Sequence, residues 1–201
     1  MIFSINESIQ FAVKFIAILV FVVLGIQGGS QAETSLHCVN KQDYSVRITT
    51  FSEGCVLGEV SLGRTAIKAP KSVIKGLHPK LELRFKAAQA AARLEGIDLY
   101  IASGFRTFER QRYLFDRALR RHGSYKEAVK WVAPPEISRH PLGLALDVNY
   151  PGDSKGAKWL EIYGYRYGLC RVFENEWWHF EAVTAPGETC PVMYENSAAR
   201  G

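Results

Sequence analysis

Two short segments of the 201-residue chain hold residue types that can bind a metal and move a proton. In Ser138-Arg139-His140-Pro141-Leu142-Gly143-Leu144-Ala145-Leu146-Asp147 an imidazole stands seven residues before a carboxylate. In Glu176-Trp177-Trp178-His179 a second imidazole stands three residues after another carboxylate. Two imidazoles and one carboxylate fill three positions of a tetrahedral zinc site and leave the fourth open, the arrangement of a catalytic centre rather than a structural one. An acid beside such a cluster is what metal-activated hydrolysis needs. A lone histidine near a strand is more often a packed or surface residue, so the weight rests on the two segments together.

Elements must bring these groups to one point. Leu144 to Val148 alternates large apolar with small or charged residues, as a half-buried strand does. Leu144, Leu146 and Val148 then enter the core, while Asp147 shares the opposite face with Ala145, a residue too small to block it. His140 falls in the loop before that strand, and Gly143 permits the turn. Trp177 to Val183 is expected as another strand. Residues i and i+3 of a strand face opposite ways, so Glu176 has to lie in the preceding loop if it is to converge with His179. Trp178, next to His179, is expected to line the pocket, and the other aromatics nearby to pack rather than to stack on sugars.

Around these, Pro79 to Leu94 is Ala-rich with high helix propensity and stops at Gly96. Ile97 to Ala102 reads as a strand leading into Ser103-Gly104-Phe105-Arg106. Thr107 is placed to cap a helix running to about His122 with Phe108, Phe115, Ala118 and Leu119 on one face. Lys158 to Tyr163 is expected as a short helix ended at Gly164, and Tyr44 to Phe51 as a β-like run.

The apolar run Phe15 to Ile26 follows Lys14 and precedes Ser30 and Ala32, the pattern of a secretory leader cleaved after Ala32. Twelve apolar residues rise only about 18 Å as a helix, short of the roughly 30 Å hydrocarbon core, which disfavours a retained anchor. Residues 1–32 are accordingly assigned to a signal peptide, 33–76 to a disulfide-pinned N-terminal extension and 77–201 to the catalytic domain. Cys38, Cys55, Cys170 and Cys190 form no C-x-x-C pair, and in an exported chain they are expected as disulfides. Of the three possible connectivities, the sequence-local one, Cys38 with Cys55 and Cys170 with Cys190, closes two short loops worth about 3 kcal/mol each. A composition 47% hydrophobic and 22% charged excludes a disordered or multi-span membrane chain, and a net charge of +5 is too weak to argue for nucleic acid.

Three segments carry a resemblance: Ser103-Gly104-Phe105-Arg106-Thr107 with Gln111; Ser138-x-His140-x-x-Gly143-x-Ala145-x-Asp147; and Glu176-x-Trp178-His179. In this order they resemble the zinc D-alanyl-D-alanine carboxypeptidases and dipeptidases of bacterial cell-wall metabolism and vancomycin resistance, over about residues 77 to 183. The resemblance implies an α+β fold in which a small antiparallel sheet carries the metal, related to the zinc domain of hedgehog proteins. It implies zinc held by His140, Asp147 and His179, with Glu176 as general base. Arg106 would face the substrate carbonyl, and Gln111 and Ser138 would hydrogen-bond to substrate or to the groups around it.

The function expected is an exported zinc peptidase, in the periplasm or at the cell wall, that removes the C-terminal D-alanine from peptidoglycan stem peptides. An L,D-carboxypeptidase or a peptidoglycan endopeptidase is the alternative within hydrolases, and a zinc-stabilised wall-binding module without activity is the alternative outside them. Glu176 argues against the last, because a purely structural zinc has no use for an open position beside a carboxylic base. No nucleic-acid partner is expected, membrane contact only through an uncleaved leader, and the protein is expected to be a monomer.

Overall fold

The strand that carries Asp147 lies at the centre of a four-stranded sheet, and the rest of the fold either buries that sheet's back or walls its front. In the computed structural model, residues 35–70 and 75–200 are described. The expected signal peptide, residues 1–32, lies outside them. The N-terminal part forms a three-stranded antiparallel sheet, β1 (Ser35–Asn40), β2 (Val46–Thr50) and β3 (Glu59–Ser61), in the order β2-β1-β3. Cys38 on β1 is bonded to Cys55, with Cα atoms 5.5 Å apart. Helix α1 (Pro79–Leu94) follows, with proline in its first turn and His78 Nδ1 accepting from Lys80 N at 3.2 Å.

The second sheet has the order β4-β5-β7-β6, antiparallel throughout, from β4 (Ile101–Ser103), β5 (Ala145–Val148), β6 (Cys170–Arg171) and β7 (His179–Glu181). Leu144, Leu146, Val148 and Phe180 form its back. They pack in one core with Leu81, Phe85, Ala88 and Ala92 of α1 and with Trp159 and Leu160 of α4 (Lys155–Tyr163). The α1 positions recur at the spacing of a single helix face. Val39, Leu62 and Ile67 of the N-terminal part belong to the same core. Helix α2 (Phe108–His122) is capped by Thr107, whose Oγ1 accepts from Arg110 N at 3.1 Å, and it closes on Gly123 at φ 77°. Short α3 (Tyr125–Ala128) and the residues after it bury Phe115 and Ala118 of α2 in a second, smaller cluster with Ala128 and Val129.

The least expected core residue is Arg84, which is fully buried on α1. Its guanidinium donates to four carbonyls: Leu62 at 3.0 Å, Thr65 at 2.8 Å, Thr184 at 2.8 Å and Gly168 at 3.4 Å. Burial lowers its pKa to about 10, still charged at neutral pH. Gly168 makes room for it, since a Cβ there would stand 2.6 Å from the guanidinium in a backbone with φ 66°.

Several expectations need correction. The strand expected over Ile97 to Ala102 begins only at Ile101. Before it, Tyr100 N bonds instead to the Asn149 side-chain oxygen at 3.2 Å, and Leu99 turns into the core. Phe108 is 42% exposed and does not share the buried face of α2, which consists of Gln111, Phe115 and Ala118. Helix α4 starts three residues earlier than Lys158, where Asp153 Oδ1 accepts from Lys155 N at 3.0 Å. The strand expected over Trp177 to Val183 shortens to His179–Glu181, because Trp177 and Trp178 lie in a turn. Finally, β5 is buried on both faces rather than half-buried, because the walls of a cleft cover its front.

Candidate metal centre

Antiparallel pairing sets the first contact of the site. Asp147 of β5 stands opposite His179 of β7, and both side chains leave the front of the sheet. The loop before β5 adds His140 from a single 3-10 turn (His140–Leu142) closed by Gly143 at φ 66°. All three residues are buried. Asp147 Oδ1 lies 3.3 Å from His140 Nε2 and 3.2 Å from His179 Nδ1. The donor atoms of the three fall within 4.8 Å of one another. The two carboxylate–imidazole separations are close to the edge of a tetrahedron around zinc, about 3.3–3.6 Å for bonds of 2.0–2.2 Å.

The outer nitrogens of both rings are committed. His140 Nδ1 donates to Gly104 O at 2.7 Å, and His179 Nε2 donates to Glu181 Oε1 at 3.0 Å. Each bond occupies the outer nitrogen and leaves the inner one, which faces Asp147, to give its lone pair to an ion that displaces any proton there. Burial lowers the pKa of His140, so its ring is neutral as a ligand requires. Burial works against ionising Asp147, but the two histidines beside it outweigh that cost and hold the carboxyl well below the usual range. The residues therefore fit a divalent cation: one anionic oxygen and two imidazole lone pairs aimed at a common point.

Glu176 lies in the loop before β7, and its Oε2 is 3.8 Å from His179 Nδ1. Desolvation raises its pKa to about 7, opposed in part by the charge of His179. A carboxylate at that value accepts a proton near neutrality and gives it back, as a general base must.

Arg106 is held on three sides. Its Nε donates to Ser103 Oγ at 3.0 Å, one terminal nitrogen donates to Gln111 Oε1 at 3.2 Å, and the other pairs with Asp147 Oδ2. Gln111, only 2% exposed, is itself anchored by donating to Ala133 O at 2.7 Å. Ser138 Oγ accepts from His140 N at 3.4 Å, which ties it to the turn rather than leaving it free. Trp178 packs against Tyr150 in a tilted contact with ring centroids 4.2 Å apart. A cleft of about 740 Å³ is lined by all eight residues singled out in the sequence: Arg106, Gln111, Ser138, His140, Asp147, Glu176, Trp178 and His179.

Four further residues of this cleft were missed. Glu181 could have been found, since it follows His179 by two positions and so shares its strand face. Arg139 stands between two motif positions, and Tyr150 just beyond the Asp147 strand, with nothing in their spacing to mark them. Arg200 arrives from the C-terminal 3-10 turn (Ser197–Arg200), over twenty positions from His179, where no local pattern points to the site. Burial opposes ionisation of Glu181, yet hydrogen bonds from His179 and Arg200 bring its pKa down to about 2. The other cluster of metal-ligating residue types among the described residues, Cys38, Cys55 and Glu59, has both cysteines in a disulfide and offers no thiolate.

Residues 74–184 match the VanY family model, described as D-alanyl-D-alanine carboxypeptidase. A D-alanyl-D-alanine carboxypeptidase of Enterococcus faecalis is 30% identical over 185 residues, which cover 77% of this chain and 60% of that protein. The chain thus spans less than two thirds of that relative's length. The peptidoglycan L-alanyl-D-glutamate endopeptidase CwlK of Bacillus subtilis is 29% identical over 119 residues, 52% of this chain and 69% of that one. Among solved structures, the vancomycin resistance D,D-pentapeptidase VanY in complex with Zn(II) superposes with a TM-score of 0.50 at 27% identity, covering 58% of this chain and 82% of its own. VanYB in complex with D-alanine-D-alanine gives 0.51 at 27% identity, with 59% and 81% covered.

Proposed function

Since the chain belongs to the VanY family of D-alanyl-D-alanine carboxypeptidases, we propose that it is a zinc peptidase that releases the C-terminal D-alanine of peptidoglycan stem peptides outside the cytoplasm. The observation that carries this reading is the convergence of His140 Nε2, Asp147 Oδ1 and His179 Nδ1 on one point, with the Glu176 carboxylate beside it. His140, Asp147 and His179 would hold the zinc, which when bound supplies Lewis acidity toward water and the peptide carbonyl.

The chain's own groups do the rest. Glu176 takes the proton of the attacking water and passes it to the departing amine. Arg106, fixed by Ser103 and Gln111, keeps a positive charge at the mouth of the cluster, where negative charge develops on the carbonyl oxygen. Ser138 steadies the His140 turn, and Trp178 with Tyr150 forms an apolar wall. Two disulfides and the leader-like N-terminal sequence support an oxidising, extracytoplasmic location.

Mass spectrometry of stem peptides incubated with the zinc-loaded protein tests the reading. Free D-alanine released from a pentapeptide supports it. Cleavage at an internal bond would favour the endopeptidase reading, to which the similarity with CwlK lends weight. Binding to peptidoglycan without any hydrolysis would make the protein a wall-binding module.

A further inference from the structure

The outer side of α2 carries an unbalanced charge. Its fifteen residues hold five arginines against Glu109 and Asp116, a net charge of +3 in a chain whose total is +5. Arg112 is the one cation of the helix that forms an ion pair among the described residues, with Glu136. Arg110, Arg117, Arg120 and Arg121 are exposed.

Helical spacing lines these cations up. Arg110, Arg117 and Arg121 recur at intervals of seven and four residues, which places them within about 40° of one another around the helix, over about 16 Å of its length. Tyr113, 48% exposed, sits between the first two, with the Arg110 guanidinium 5.3 Å and the Arg117 guanidinium 5.9 Å from its ring centroid. The ring holds both side chains, so less of their freedom is left to lose on binding. Arg120 adds a charge beside the end of the row. Helix stability accounts for only part of this pattern. Arg120 and Arg121 lie in the last turn, where the helix dipole favours cations, but Arg110 lies in the first turn, where it opposes them, and Arg117 in neither. Arg110 also lines the cleft, whereas Arg117, Arg120 and Arg121 do not, so the row starts at the cleft and leads away from it along α2.

The shape of this charge selects a partner. Cations strung over about 16 Å do not converge on one small anion, whereas an extended strand reaches them all. A flat lipid surface would also meet the flank of α2, where Glu109, Asp116 and Glu136 outnumber Arg112. Every cation of the row is an arginine, whose planar fork matches phosphate oxygens in pairs. Neutralising the phosphates of a strand releases its condensed counterions, which favours a repeating polyanion over isolated charges. We infer that the arginine row of α2 is a docking track for a linear phosphate-bearing polymer, of the kind in which polyol units are joined by phosphodiesters. Its location outside the cytoplasm rests on the proposed function. The track holds the protein along such a strand with one end of the row at the cleft.

Calorimetric titration of the protein with poly(glycerol phosphate) at several salt concentrations tests the inference. The parent should bind with an affinity that falls steeply as salt rises. Arg117→Gln/Arg121→Gln should weaken binding about 10-fold or more at low salt and lower the slope of log K against log salt by about one to two. Lys155→Gln/Lys158→Gln removes the same charge from α4, behind the sheet, and should bind like the parent. Circular dichroism should be unchanged in both. A parent that binds no polymer, an arginine variant that binds like the parent, or a lysine variant weakened as much as the arginine one overturns the inference. So does tighter binding to poly-L-glutamate, to phosphatidylglycerol vesicles or to a single-stranded oligonucleotide, each of which would name a different partner. Titration needs no turnover, so a protein that cleaves no stem peptide refutes the proposed function and leaves this test intact.

Discussion

His179 Nε2 and Glu181 Oε1 lie 3.0 Å apart, joining a candidate metal ligand to the residue two positions along the same strand. The contact is possible because Ala145 stands opposite Glu181 in the neighbouring strand and leaves space for the carboxylate. A buried acid on the far side of a ligand imidazole orients the ring and raises the basicity of the nitrogen that faces the metal. Glu181 is therefore a positioning residue, and Arg200 in turn positions Glu181.

Replacing Glu181 by Gln should weaken zinc binding by about 10- to 100-fold, as loss of such an outer partner does elsewhere. Competition with a chromogenic chelator measures it. Unchanged zinc affinity would reduce Glu181 to a partner of Arg200 and Arg139 alone.

Glu176 and His179 should separate base from ligand. Glu176→Gln should retain zinc and lose roughly 10²-fold or more in turnover, whereas His179→Ala should lose both. Atomic absorption and turnover on a peptide ending in D-alanyl-D-alanine read the two together. A Glu176→Gln protein isolated without zinc would make Glu176 a ligand instead.

Without metal, the His179–Glu181 pair makes stability depend on pH in a defined direction. Glu181 titrates at about 2 in the folded protein against 4.5 ordinarily, so its contribution is present above about pH 4.5 and is lost as the pH falls through 2. Hydrogen bonds to Asp147 and Glu181 overcome burial and raise His179 from 6.5 to about 10, so its contribution is full below 6.5 and is lost as the pH rises through 10. Urea midpoints of the metal-free protein should thus peak between about pH 4.5 and 6.5 and fall on both sides. A midpoint still climbing above about pH 7 would contradict the pairing.

The Cys170–Cys190 bridge, with Cα atoms 5.6 Å apart, anchors the edge strand β6 beside β7. Closing a loop of this length contributes about 3 kcal/mol. The double variant Cys170→Ala/Cys190→Ala should lose activity at temperatures where circular dichroism still reports a folded chain, because β6 pairs directly with Glu181. Coincident loss of activity and fold would assign the bridge to global stability only.

The placement of the candidate site was legible wherever it rests on short-range spacing. Asp147 needed only strand alternation, His140 a turn closed by a glycine, and Glu176 the recognition that i and i+3 of a strand diverge. Strand limits were less legible, because alternation in Ile97 to Ala102 does not reveal that Tyr100 N binds the Asn149 side-chain oxygen instead of a backbone carbonyl. Arg139 and Arg200 were invisible for another reason: their roles come from three chain segments meeting at Glu181, a long-range fact that no local pattern encodes.

Arg84 draws its four acceptors from Leu62 and Thr65 on one side of α1 and from Gly168 and Thr184 far downstream. A peptidase cut back to begin at α1 would keep its candidate metal ligands and yet strand an interior cation with half its acceptors gone. The small N-terminal sheet is thus no removable ornament. Grafting this catalytic unit onto another protein would require transplanting residues 35–70 with it, because the two acceptors that Arg84 finds before α1 lie there.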